Sequence, residues 1–211
     1  YKEKKIMKDK WIEYAIEIQS IAQAGLAYVK DEYDKERYER LRDIAAEMLV
    51  LKSDLPLNKV KDLFCNETGY PTPKVDTRAA VFKDNQILLV QEKNGTWSLP
   101  GGWCDVDQSI GQNVVKETNE EAGLQVKPVK LIAVQDRNLH NEPIYAYGIV
   151  KVFVLCELLG GEFKENSETI QSQYFSLDQL PSPLATEKVT RKQIELCFEA
   201  NTSKNWQTQF D

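Results

Sequence analysis

The stretch "LPGGWCDVDQSIGQNVVKETNEEAGL", residues 99–124, joins a glycine turn to a helix-like run carrying three glutamates and ends on a further glycine. A helix from about Ser109 to Ala122 would set Glu117, Glu120 and Glu121 at i, i+3 and i+4, on one face. Ile110, Val114 and Thr118 form a neighbouring row suited to a core. Like charges at these spacings repel by roughly a few tenths of a kcal/mol per pair unless a cation compensates. Taken alone, such a run is most often a solvated helix face. Its flanks argue otherwise: "LPGG" is a turn that lets backbone approach a ligand closely, and Gly123 stands where a left-handed helix cap is expected. A glycine loop, an acidic helix face and a glycine stop make an oxygen-rich pocket of the kind hard divalent cations prefer. Carboxylates without histidine or cysteine point to magnesium or manganese rather than zinc.

Around this stretch the sequence has the pattern of strands. "VDTRAAVF", "QILLVQEK", "KLIAVQDR" and "YGIVKVFVLCEL" are rich in residues that suit sheets, and "KDNQ" between the first two reads as a hairpin turn. A second helix is predicted in "TEKVTRKQIELCFEA". Strands and helices interleaved over residues 73–211 imply an α/β unit, a mixed sheet with helices packed on it. Residues 1–72 differ. "DKWIEYAIEIQSIAQAGLAYV" places Trp11, Ala15, Ile18, Ile21, Ala22 and Leu26 at helical spacing, and "DKERYERLRDIAAEMLVLKSD" repeats the period through Tyr38, Leu41, Ile44, Ala45, Met48 and Leu49. A short third helix is expected in "PLNKVKDLFCNE", and the "GYPTPK" punctuation closes this small all-helical domain.

Composition narrows the function classes. Twenty-seven lysines and arginines face 33 aspartates and glutamates, a formal charge of -6, which argues against general binding to nucleic acid or membrane surfaces. The second helix carries Lys35, Arg37, Arg40 and Arg42, but acids are interleaved, so it is no DNA-recognition helix. Cys65, Cys104, Cys156 and Cys197 are scattered and His140 is the single histidine, so no zinc-type spacing can be assembled. Reduced thiols, no apolar run of membrane-span length and a start, "YKEKKIMKDK", without a signal-peptide core give a cytoplasmic expectation. The chain does not begin with methionine, and its first few residues are read as a trimmed or added leader.

Residues 102–124 resemble the signature of the Nudix hydrolases, G-x5-E-x7-R-E-U-x-E-E-x-G-U with U apolar, with Lys116-Glu117 and Glu120-Glu121-Ala122-Gly123-Leu124 in register. Gln108 replaces the first glutamate, Lys116 the arginine, and Thr118 an apolar residue. Lysine supplies charge without the planar fork of arginine. Gln108 cannot neutralise a cation, and Asp105 or Asp107 is the nearby substitute. "YFSLDQLP", the helical leader domain, "TGYPTPKVDTRAAVF" and "WSLPGGWCDV" are similar to a bacterial subgroup that includes CDP-choline pyrophosphatases and relatives described as ADP-ribose pyrophosphatases. The resemblance implies an α/β/α sandwich around a mixed sheet, a homodimer joined through the helical domain, and magnesium- or manganese-dependent hydrolysis of a nucleoside diphosphate derivative, CDP-choline first and ADP-ribose or a nucleotide sugar second. It implies Glu117 and Glu121 as metal ligands, Glu120 as a further ligand or water-orienting group, a backbone carbonyl of Gly101 or Gly102 as another donor, and Lys116 as the residue orienting a helix glutamate. The degraded positions also leave open a non-catalytic nucleotide sensor.

In the chemistry that the resemblance implies, the general base is Glu120 or Glu168, the latter in the loop "ENSETIQSQ", where a solvated charge is the plainer reading. Other candidates come from the residues themselves. Arg78, inside an apolar strand, needs a partner: a phosphate, or a carboxylate such as Glu92. Trp97 and Trp103 flank the glycine turn and could stack on a base or bind choline, with core packing expected for at least one. Tyr145 and Tyr147 are expected to face one side at a strand start, and His140 reads as a surface residue.

Overall fold

The computed structural model describes residues 9–53 and 55–211; the leader expected at the N-terminus and Asp54 lie outside the described residues. The chain divides into two compact units, the first ending at Thr72 and the second running Pro73–Asp211.

In the first unit, α1 (Lys10–Tyr28) and α2 (Glu32–Val50) are started by Asp9 and Asp31, whose carboxylates accept the backbone N–H of Trp11 and Asp34. Such caps satisfy amides that have no partner within the helix. Helix α3 (Leu57–Phe64) buries Val60 and Phe64. The inner stripe of α1 is Ala15, Gln19, Ala22 and Gln23, shifted from the expected row, and Ile21 stays exposed. The buried amides account for the shift. Gln19 Nε2 donates to the Phe64 carbonyl at 3.2 Å and Gln23 Nε2 to the Gly69 carbonyl at 3.1 Å. They take inner positions because they close the backbone of the segment after α2.

The second unit is a mixed sheet with helices on both faces. In chain order it comprises β1 (Lys74–Lys83), β2 (Gln86–Glu92), β3 (Trp97–Ser98), α4 (Ile110–Ala122), β4 (Leu124–Asp136), the short α5 (Arg137–His140), β5 (Ile149–Gly161), β6 (Thr169–Phe175), a 3₁₀ turn at Leu177–Gln179, α6 (Arg191–Thr202) and β7 (Gln209–Phe210). Strand order is β3-β2-β1-β5-β4-β7, with β6 also paired to β2. The β1–β5 and β4–β7 pairs are parallel; β1–β2, β2–β3, β2–β6 and β4–β5 are antiparallel. The β1–β2 hairpin turns at Asp84 and Asn85, both at positive φ, which these residue types tolerate.

Period-two alternation sorts the core. Ala79 and Val81 of β1, Leu88 and Val90 of β2, and Val152, Val154 and Cys156 of β5 pack with Val114 and Ala122 of α4. Ala80, Ile87, Leu89, Phe153 and Leu155 pack on the other face with Ile194, Cys197 and Phe198 of α6. Arg78 and Asp76 continue the Ala80 row, and Lys151 continues the Phe153 row, so three charged side chains occupy one end of an otherwise apolar face.

Two expectations are corrected. Helix α6 starts at Arg191, later than predicted, because Thr190 and Gln193 form a capping box that leaves residues 186–189 outside the helix. Strand β5 starts at Ile149, so Tyr145 and Tyr147 sit in the preceding loop rather than on the strand.

Candidate active site

Helix α4 begins at a capping box between Ser109 and Gln112 and ends at Gly123, with φ 68°. Asn113 Nδ2 donates to Thr77 Oγ1 of β1 at 2.8 Å and pins the helix against the sheet. Thr118, unexpected at a core position, is fully buried and donates its hydroxyl to the Val114 carbonyl at 2.7 Å, so its polar atom is satisfied within the helix.

The glycine turn is stitched along β1. The Ala79 amide donates to the Pro100 carbonyl and the Thr77 amide to the Gly102 carbonyl, both at 2.9 Å, and the Cys104 amide donates to the Val75 carbonyl at 2.8 Å. Gly101 adopts φ 145°, a conformation side-chain-bearing residues rarely take, and its N–H donates to Glu121 Oε2 at 2.8 Å. At Gly102 a Cβ would stand 2.6 Å from Glu117 Oε2. Gly102 is therefore needed to admit Glu117, and Gly101 to let the turn lie against the Thr77 carbonyl of β1.

A cavity of about 430 Å³ opens here, lined by residues that include Gly101, Gly102, Trp103, Glu117, Glu120, Glu121, Arg78, Lys116, Glu168 and Tyr145. Glu121 is 5% exposed and Glu117 9%, whereas Glu120 is well exposed. Burial raises the Glu121 carboxyl to about 7, although Arg78 and the Gly101 amide pull the other way; burial raises Glu117 as well. Lys116 Nζ lies 2.8 Å from Asp105, 3.4 Å from Glu117 and 3.7 Å from Glu120, which raises its proton affinity. Asp105 is thus the acid that joins the group where Gln108 lacks a charge. Glu168 rides on a loop tied to the end of α4: Thr169 Oγ1 donates to the Glu121 carbonyl at 2.6 Å, and Asn166 Oδ1 accepts the Glu168 amide at 2.9 Å.

The donor set suits a hard cation. Among the described residues no three acidic, histidine or cysteine side chains already converge as a closed metal cage. Two buried carboxylates beside a glycine backbone nevertheless match magnesium, which takes few protein oxygens and leaves positions for water and phosphate.

Arg78 does not pair with Glu92. Its Nε and Nη2 reach Asp76 at 3.1 and 2.8 Å, because Asp76 lies two residues away on the same strand face. Lys151 also bonds Asp76. Burial opposes ionisation of Asp76, but the two cations outweigh it and hold the carboxyl below its usual range. Burial, and then Arg78, lowers Lys151 to about 8. Glu92 instead meets Lys188 at 2.6 Å. Trp97 is buried, packed edge-on against Phe175 with centroids 5.0 Å apart, and lies in the core. Glu92, Trp97 and Tyr147 are outside the cavity lining, although the Tyr147 ring sits 5.6 Å from that of Tyr145. His140 contacts Asp211 at 2.8 Å, away from the cavity lining.

Sequence reasoning missed Asp76, Arg137, Lys151, Glu187 and Lys188, all on the cavity wall. A signal existed for Asp76 and Lys151, charged residues within apolar strand runs, as for Arg78. None existed for Arg137, the first residue of α5.

A glycine turn and an acidic helix on a mixed sheet define a class of hydrolase fold, and the comparisons agree. A NUDIX domain model matches residues 72–197 and a UDP-X-like N-terminal oligomerisation domain model residues 9–64. The chain belongs to the Nudix hydrolase family. YjhB of Bacillus subtilis, provisionally named an ADP-ribose pyrophosphatase, is 43% identical over 206 residues, 97% of this chain and 99% of the relative. The crystal structure of an ADP-ribose pyrophosphatase from Streptococcus suis is 56% identical, with TM-score 0.62, over 66% of this chain and all of that one. That of a UDP-X diphosphatase is 35% identical, with TM-score 0.62, over 95% of this chain and 98% of that one. Among the described residues no helix is long and apolar enough to cross a membrane.

Proposed function

We propose that the protein hydrolyses the diphosphate bond of a nucleoside diphosphate derivative with the help of magnesium or manganese, ADP-ribose being the first substrate to test. The observation that carries this reading is the pair of buried carboxylates, Glu117 and Glu121, set against a glycine turn in one cavity. The names of the relatives favour ADP-ribose or a UDP-linked substrate over CDP-choline. The aromatic residues agree with that order: Trp97 is buried, and one face of Tyr145 is taken by a guanidinium, so the proposed choline surface is reduced to Trp103.

Glu117, Glu121 and a backbone carbonyl would hold the cation. Gly101 supplies that carbonyl more readily than Gly102, whose oxygen already accepts the Thr77 amide. Once bound, the cation neutralises diphosphate charge and makes water more acidic. Lys116 holds Glu117 and Asp105 in place. Glu168 takes the proton of the attacking water, because Glu120 is engaged by Lys116. Water oxygen bonds to one phosphorus, the bridging P–O bond breaks, and its electron pair stays on the departing phosphate.

The test is phosphate-monoester release from ADP-ribose, CDP-choline, UDP-glucose, NADH and CDP-glycerol, with and without magnesium, alongside Glu121→Gln. Magnesium-dependent cleavage that the variant loses supports the reading; silence from a folded, nucleotide-binding wild type would return the non-catalytic sensor. We also propose a homodimer formed through the helical unit, supported by the oligomerisation-domain match and by exposed Tyr14, Ile21 and Tyr28 on α1. A reducing, cytoplasmic setting fits four free cysteines.

A further inference from the structure

Arg137 is a charged side chain only 1% exposed, on the cavity wall. Its donors are unevenly used. Nε donates to the Glu187 carbonyl at 3.3 Å, and Nη1 to Asn138 Oδ1 at 3.1 Å and to the Pro143 carbonyl. Nη2 is buried without a partner. All three acceptors are neutral oxygens, which satisfy N–H groups without balancing the charge. A buried guanidinium with a bare nitrogen is costly unless an anion meets it.

The surroundings add positive charge. Tyr145 lies beneath the guanidinium, its ring centroid 3.5 Å from Cζ, and holds the plane in a fixed orientation. Lys151 lines the same wall, fully buried, with Asp76 as an acceptor that it shares with Arg78. Arg78 and Lys151 therefore share the buried Asp76 carboxylate, Arg137 has only neutral acceptors, and the Glu187 side chain, also in the lining, offsets part of the excess. The electrostatic influence of Arg78 and Arg137 is felt at Lys151, where it adds to burial in lowering proton affinity. The acidic face of α4 presents the opposite sign to the same cavity.

We propose that Arg137 and Lys151 form an anion subsite for a phosphoryl group, with Nη2 of Arg137 as its principal donor, separate from the cation site on α4. Planar guanidinium N–H groups and an ammonium are the donors that phosphate oxygens accept best. This deepens the proposed function and rests on it for the ligand's identity: one phosphate of the diphosphate lies at the glutamates and the departing one at Arg137, where it stays as a monoester after cleavage.

The test is calorimetric titration of inorganic phosphate into the full chain with a chelator present, so that no divalent cation contributes. Wild type should bind, and Arg137→Met and Lys151→Met should each weaken binding by roughly tenfold or more, the scale of one lost charge-assisted hydrogen bond. Arg137→Met also releases the Pro143 and Glu187 carbonyls; Lys151→Met leaves those bonds in place and so separates anion binding from loop support. Absence of phosphate binding in wild type, or unchanged affinity in folded Lys151→Met and Arg137→Met, would overturn the subsite. Phosphate binding through Arg137 in a protein that cleaves no diphosphate would overturn the proposed function and leave the subsite standing. Cleavage without Arg137-dependent phosphate binding would do the reverse.

Discussion

Glu121 Oε2 accepts the backbone N–H of Gly101 at 2.8 Å, so the acidic helix and the glycine turn are joined by one hydrogen bond at the base of the cavity. The carboxyl is buried, and burial raises it to about 7 from an ordinary value of 4.5. Between these values the folded state holds a proton that the unfolded state releases. Stability of the metal-free protein should therefore fall as pH rises from about 4.5 to 7, by on the order of 3 kcal/mol from this group. Thermal melts in chelator across this range should show the slope, and Glu121→Gln should flatten it. Magnesium should restore stability at pH 7 and above, because it favours the ionised form. A metal-insensitive melt would count against Glu121 as a ligand.

Gly102 gives a second prediction. A methyl group there would stand 2.6 Å from Glu117 Oε2, so Gly102→Ala must displace the carboxylate. Turnover should drop by roughly tenfold or more while the fold persists, since a misplacement of about 1 Å costs that scale of rate. Paired measurements of kcat and circular dichroism decide the case; normal turnover would mean that Glu117 is not held where the proposal needs it.

Glu168 separates two roles for the loop glutamate. Its backbone is tied to the end of α4 through Asn166 and Thr169, but its side chain is no part of those bonds. Glu168→Gln should lower kcat by roughly a hundredfold, the scale of general-base loss, and leave magnesium affinity nearly unchanged. If Glu120→Gln gives that pattern and Glu168→Gln does not, the proton goes to the helix instead.

Residues 99–124 made much of this site legible because their chemistry is local: the glycines, the glutamate spacing and the Gly123 stop act within one turn and one helix. The fold class followed from strand runs whose alternation survives in β1, β2 and β5, where odd and even residues divide cleanly between the α4 and α6 faces. What stayed hidden depends on pairing across long sequence separations. Asp76 meets Lys151 only because β1 and β5 run parallel in register, Asp76 opposite Lys151, and nothing near either residue encodes that register. Arg137 looked like the end of a strand, yet its neighbour Asn138 and the loop after α5 bring two neutral acceptors and Tyr145, and the segment before α6 brings the third, the Glu187 carbonyl. Trp97 resembled its neighbour Trp103 in sequence, but a position on β3 sent one ring into the core.

The Asp76 cluster carries a stability prediction. Removing its charge by Asp76→Asn leaves Arg78 and Lys151 buried without a counter-ion, at a cost of about 3 kcal/mol or more. Arg78→Met should cost less, because Asp76 keeps Lys151. Denaturant titrations of both variants in chelator provide the comparison, and equal losses would show that Asp76 does not serve the two cations jointly.

The helical unit supplies the final prediction. On α1, Tyr14, Ile21 and Tyr28 recur every seventh residue and are 53%, 56% and 72% exposed, a solvent-facing apolar row running the length of the helix. Such a row is costly in an isolated chain and is suited to a second copy, whose identical row would meet it about a two-fold axis. The double variant Tyr14→Glu/Ile21→Glu places carboxylates at two of these positions, where like charges from both copies would face one another. Wild type should sediment as a dimer of 24.2 kDa chains at micromolar concentration, and the variant as a monomer with unchanged helicity. Because the variant lies far in sequence from Glu117 and Glu121, its diphosphatase activity also reveals whether assembly is needed for turnover. A wild-type monomer at that concentration would remove the dimer assignment.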